Sequence, residues 1–124
     1  MDGQTQDFEI YDGDLSAERL SEYLTETTIA VDTETMGLLP IRDRLCLVQI
    51  CDSRDRISVV RIHRGQTEAP NLKALMEATQ VTKIFHFARF DITTLKYHLR
   101  FRSRRCFAPR LPANSFGPMR QAMD

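Results

Sequence analysis

The 124-residue sequence has no apolar run approaching the roughly 18 residues that a membrane-spanning helix needs. Its first residues, MDGQTQDFEIYDGD, are acidic and contain no apolar h-region, so they do not read as a secretory signal peptide. Cysteine is scarce: Cys46, Cys51 and Cys106 form no Cys-x-x-Cys pair and no zinc-ligand spacing with His63, His86 or His98. Disulfide scaffolds and zinc modules are thereby excluded, and the expected compartment is the cytoplasm, without a membrane partner. There are no internal repeats and no low-complexity tract. Net charge is absent as well, with 17 Lys/Arg against 17 Asp/Glu, but the balance is uneven along the chain. Residues 100–124 contain six Arg and a single Asp, which leaves the first 99 residues acidic.

What remains is ordinary globular material, enough for one small domain. SAERLSEYLTE at 16–26 places Leu20, Tyr23 and Leu24 at i, i+3 and i+4, with Ser16 positioned as N-cap, and predicts an amphipathic helix. IAVD at 29–32 reads as a short buried strand, followed by a Gly- and Pro-containing loop at 37–43. RLCLVQICD at 44–52 and ISVVRI at 57–62 are joined by a short turn and should pair antiparallel. NLKALMEAT at 71–79 predicts a helix capped by Asn71, TKIFHF at 82–87 a strand, and RFDITTLKYHL at 89–99 a final helix. The order α-β-β-β-α-β-α, with a helical crossover, implies a mixed sheet with helices packed on it.

The chemistry is concentrated in Asp32-Thr33-Glu34. On a strand, residues i and i+2 point to the same side, so Asp32 and Glu34 share a face and Thr33 points away. Paired carboxylates repel, and a divalent cation with a preference for oxygen resolves the conflict. A solvated strand end would explain the pair equally simply. A third acid, Asp91, lies just past the strand-like TKIFHF. If that strand runs parallel beside IAVD, Asp91 reaches the same point, although an acid in the first turn of a helix is also favoured by the helix dipole alone.

Asp32-Thr33-Glu34-Thr35-Met36-Gly37-Leu38 resembles the first motif of the 3′-5′ exonucleases of the DEDD (DnaQ-like) superfamily. KIFHFARFDITTL resembles their second motif, and RDRLCLVQICD resembles the ribonuclease D branch. The resemblance covers residues 8–99. It implies an α/β fold of the ribonuclease H-like type, a mixed β-sheet flanked by helices. It also implies two Mg²⁺ or Mn²⁺ ions held by Asp32, Glu34 and Asp91, and hydrolysis of phosphodiester bonds from a free 3′ end, with RNA favoured over DNA. By the same resemblance Thr35 contacts the terminal nucleotide, Leu38 wedges against the terminal base and Phe90 packs beside its sugar or base. An aspartate-nucleophile phosphatase, the other use of an Asp-Thr-Glu-Thr stretch, needs a second Asp where Glu34 stands.

The family's third motif, a Tyr or His followed after three residues by a fourth acid, has no counterpart after Leu99. Read with permitted codons in a shifted frame, residues 101–124 admit a string similar to the ribonuclease D continuation. Residues 1–99 are therefore expected to be the N-terminal part of an exonuclease domain, truncated before its last strand and helices, and residues 100–124 a frameshifted or disordered tail. Two further expectations follow: the chain is weak or inactive as an exonuclease, the alternative reading being a non-catalytic nucleic-acid-binding fragment or an unstable remnant, and sheet residues such as Ile84 and Phe85 lie exposed for want of cover.

Overall fold

A computed structural model describes residues 7–108. Six strands form one sheet: β1 (Asp7–Asp12), β2 (Thr28–Thr35), β3 (Leu45–Asp52), β4 (Arg56–Arg61), β5 (Thr82–Ile84) and β6 (Cys106–Phe107). Three helices, α1 (Ala17–Leu24), α2 (Pro70–Glu77) and α3 (Ala88–Leu99), connect them. The spatial order is β1-β4-β3-β2-β5-β6. The central β2-β3-β4 meander is antiparallel, and β1, β5 and β6 join it in parallel pairings, so the sheet is mixed.

The meander forms where apolar residues alternate. Ile29, Val31 and Thr33 of β2 are buried beside Val48 and Ile50 of β3 and Ser58 and Val60 of β4. The β3–β4 turn is organised by Asp52, whose carboxylate accepts from the Arg54 and Arg56 amides at 3.0 and 2.9 Å and from Arg56 Nε at 2.6 Å. The three helices pack on this same face. Tyr23 of α1, Leu72, Leu75 and Met76 of α2, and Leu95 and Leu99 of α3 complete one core. Tyr23 is fully enclosed; its hydroxyl lies 2.7 Å from Ser58 Oγ and 3.0 Å from the Arg56 carbonyl, and burial pushes its pKa up to about 12. No helix among the described residues is long and apolar enough to cross a membrane.

Several local features depart from the sequence reading. β1 was not anticipated. Its side chains are largely exposed, and it is held by pairing with β4 and by Arg19 of α1. Arg19 is 3% exposed and grips the Asp7 carboxylate with two hydrogen bonds of 3.0 and 2.6 Å. The N-cap position of α2 is Ala69, with Pro70 opening the helix, rather than Asn71. Its first amides are satisfied from a distance, because Asp14 accepts from Asn71 and Leu72 N–H at 2.8 Å each, while Asn71 Nδ2 donates to the Leu15 carbonyl. The strand expected over 82–87 keeps only its first three residues, since the chain turns at Phe85 to enter α3.

Phe85 is fully buried and Ile84 half-buried, which corrects the expectation that both lie exposed. The cover comes from the segment after α3. Phe101 is buried in the core, and β6 pairs parallel with β5, Phe85 N–H donating to the Phe107 carbonyl at 2.8 Å. The sheet therefore gains a two-residue strand, Cys106–Phe107, inside the segment expected to be a frameshifted or disordered tail. The rest of that expectation, from residue 109 onward, lies outside the described residues.

Candidate active site

β2 carries Asp32 and Glu34 on the face opposite the helices. Both are exposed, while Thr33 between them is 8% exposed, as the two-residue period of a strand requires. Gln49 of β3 stands directly across from Asp32, and Leu47 across from Glu34. The register with β3 shifts between Glu34 and Thr35, a bulge that ends the regular ladder just past the acidic pair.

On its other side β2 is paired with β5 only over Thr28–Ala30. Beyond Ala30 this edge faces no strand, and the first turn of α3 closes it. Asp91 sits in that turn, 1% exposed, its amide bonded to the Phe87 carbonyl at 2.9 Å. Its Oδ1 accepts a 2.5 Å hydrogen bond from the Thr33 hydroxyl. Its Oδ2 is buried with no hydrogen-bond partner among the described residues. Burial raises the Asp91 pKa to about 7; the Thr33 hydrogen bond opposes the rise, and the nearby Asp32 charge adds to it.

Asp32, Glu34 and Asp91 thus flank one open edge of β2 from two sides, the first pair on the exposed face and Asp91 on the helix-packed face. Among the described residues, no three His, Cys, Asp or Glu side chains stand close enough to hold a metal ion. The donor set nevertheless suits a hard divalent cation, because it consists of carboxylates alone and includes a buried oxygen with no partner.

The loop after β2 is braced rather than slack. Thr35 Oγ1 donates to the Gly37 carbonyl, and Met36 N–H to the Arg44 carbonyl at 2.9 Å. Asp43 folds its carboxylate against Gly37, so closely that a Cβ there would collide with it, and accepts from the Leu39 amide at 2.8 Å and from Arg42 Nε at 3.0 Å. At the far end, His98 Nε2 of α3 lies 2.8 Å from the Pro40 carbonyl. This frame holds Met36, Leu38, Leu39 and Ile41 out in solvent at 70, 55, 50 and 55% exposure. Phe90 is half-buried and lines a cleft of about 550 Å³ with Pro40, Phe87, Ala88, Arg89 and Thr93.

Sequence reasoning passed over Thr33, Asp43 and His98. Thr33 was assigned the far side of the strand, and neither of the other two carries a local pattern that marks it.

The profile of a 3′-5′ exonuclease family matches residues 8–121, and the chain belongs to that family. Among solved structures it is similar to Brucella melitensis NrnC bound to pGG, with 36% identity and a TM-score of 0.76 over 84% of this chain and 50% of that one. NrnC with bound Mg²⁺ is 38% identical, with a TM-score of 0.75 over 82% of this chain and 49% of that one. The ribonuclease D of Escherichia coli, at 21% identity and a TM-score of 0.63 over 74% and 24% of the two chains, shares the fold. This chain spans about half the length of the NrnC chains it matches. No curated protein matches it. The DnaQ-like resemblance read from Asp32, Glu34 and Asp91 and the mixed α/β sheet are both borne out at the level of family and fold.

Proposed function

We propose that the chain carries the metal-binding half of a 3′-5′ exonuclease that removes nucleotides from the 3′ end of RNA, in the cytoplasm. The observation that carries this reading is the buried, partly unsatisfied Asp91 carboxyl at the open edge of the strand that bears Asp32 and Glu34. A carboxyl in that condition is costly unless it is protonated or bound to a cation. Asp32, Glu34 and Asp91 would hold Mg²⁺ or Mn²⁺, two ions in the complete site. When bound, such ions supply an activated water and neutralise charge at the phosphate.

The chain's own groups do the rest. Thr35, anchored at the β2 bulge, and Leu38, held out by the braced loop, would seat the terminal nucleotide. Phe90 would line the apolar cleft beside it. Support for RNA is the likeness to NrnC, whose structure was obtained with pGG, and the ribonuclease D character of RDRLCLVQICD. The test is a time course on 5′-labelled RNA and DNA of equal sequence with Mg²⁺ or Mn²⁺. Stepwise loss of 3′ nucleotides that disappears in Asp32→Ala is the expected result. Trimming that Asp32→Ala leaves intact refutes the assignment.

A second reading is favoured by one observation, that no three acids converge among the described residues. The chain then binds nucleic acid without cleaving it. Salt-dependent binding with no trimming under any divalent ion is the result that selects it.

A further inference from the structure

Along β2 the side chains on the helix-packed face are Ile29, Val31 and Thr33, all buried. Packing alone asks for a third apolar β-branched residue, and Val has the shape of Thr without its hydroxyl. In Thr33 that hydroxyl is directed at Asp91, whose Oδ1 accepts from it at 2.5 Å.

As a fastening between β2 and α3 the pair is poorly suited. Replacing both partners of a buried hydrogen bond by apolar groups of the same shape is nearly neutral or stabilising, whereas here Asp91 Oδ2 is left buried with no partner among the described residues. As a means of placing a carboxylate the pair is well suited. The main chain of Asp91 is set by its amide, bonded to the Phe87 carbonyl at 2.9 Å in the first turn of α3. The terminal torsion of an aspartate is broad, so a carboxylate held at neither oxygen has no fixed orientation. Thr33 is branched at Cβ and therefore stiff at χ1. Its hydroxyl fixes Oδ1, and with Oδ1 the position of Oδ2.

We infer that Thr33 is a positioning residue, its hydroxyl holding Asp91 Oδ1 so that Oδ2 is the oxygen offered to the divalent cation. The inference rests on the metal-site reading above and adds to it the residue between two of its acids. Alternation puts Asp32 and Glu34 on the exposed face of β2 and Thr33 on the face where α3 brings Asp91. Three consecutive residues of one strand thus supply two ligands and the anchor of the third. Hydrogen-bond partners that orient a ligating carboxylate typically govern metal affinity by about ten- to a hundredfold.

The test is Mn²⁺ binding to the full chain without nucleic acid, read from the electron paramagnetic resonance signal of the free ion. Thr33→Val is expected to raise the Mn²⁺ Kd about ten- to a hundredfold. Thr33→Ser, which keeps the hydroxyl, is expected to stay within a few-fold of the parent. Thr94, one turn beyond Asp91 on α3, is also buried with an unpartnered hydroxyl among the described residues, and Thr94→Val is expected to bind Mn²⁺ like the parent. Should Thr33→Val not fold, Thr33→Ser against Thr33→Ala gives the same contrast. Parental affinity in Thr33→Val overturns the inference, and so does equal weakening in Thr33→Ser or Thr94→Val, which would mark a packing effect. The metal-site reading fails separately: Asp32→Ala that binds Mn²⁺ like the parent refutes it, whereas Asp32→Ala that loses the ion while Thr33→Val keeps it refutes only the role of Thr33.

Discussion

The Thr33 hydroxyl and the Asp91 carboxylate, 58 residues apart in sequence, meet in a 2.5 Å hydrogen bond on the buried side of β2. The contact locks the first turn of α3 to the strand that carries Asp32 and Glu34. It also occupies one oxygen of the acid proposed as the third metal ligand. Thr33→Val keeps the shape of the side chain and removes the donor. Leaving that carboxylate oxygen buried and unpaired is expected to cost about 1–3 kcal/mol in urea unfolding. Unchanged stability would show that the bond contributes nothing net.

The raised pKa of Asp91 fixes a sign for the metal-free protein. Its folded-state pKa of about 7 lies above the ordinary carboxylate value of 3.8, so the folded state holds more protons between the two. This contribution to stability is complete below about pH 4 and is lost as pH rises through about 7. Unfolding midpoints measured in EDTA should fall across that window by an amount equivalent to a few kcal/mol. In Asp91→Asn, which cannot ionise, this part of the decline should vanish, leaving a variant more stable than the parent at pH 8. A parental pH profile in Asp91→Asn refutes the assignment.

Gly37 and Asp43 form the brace of the loop that displays Leu38. A methyl group at Gly37 meets the Asp43 carboxylate, so Gly37→Ala is expected to cost about 1–3 kcal/mol through overpacking and to open the loop to proteolysis. The double variant with Asp43→Ala removes the collision and should recover part of the loss. Additive losses in that double-mutant cycle would show that the two residues do not interact.

Arg19 and Asp7 fasten β1 to α1 asymmetrically, since the Arg19 side chain is 4% exposed and that of Asp7 50%. The guanidinium beside it holds the Asp7 pKa below the usual carboxylate range, first through their hydrogen bonds. Asp7→Ala leaves a buried cation with fewer partners, whereas Arg19→Met leaves a carboxylate that water can reach. Asp7→Ala is therefore expected to cost more, about 1–3 kcal/mol, with β1 amides exchanging faster in hydrogen-exchange measurements. The reverse order of the two variants would refute the argument.

Elements written in short-range pattern were legible from the sequence. Ser16 caps α1, its Oγ accepting from the Arg19 amide at 3.1 Å; β3 and β4 form the expected hairpin; and alternation alone puts Asp32 and Glu34 on one face. Each depends on residues within a turn or two of one another, where propensity and period dominate. The family, too, was readable in DTETMGL and KIFHFARFD, because each is a short contiguous motif.

The rest was settled by contacts that no local pattern encodes. β1 reads as an acidic, irregular N-terminus and becomes a strand only because β4 offers an edge and Arg19 a counter-charge. The end of α2 is capped by Asp14, 57 residues before Asn71, so inspection of Asn71 alone misplaces the cap. Phe85 is covered by a segment whose composition promises no structure at all. The sequence by itself determined which face Asp32 and Glu34 share and nominated Asp91 as the third acid. Only the tertiary structure decided that Asp91 lies buried against Thr33, because its place depends on where β5 stops pairing and α3 begins, and that is set by packing across the whole sheet.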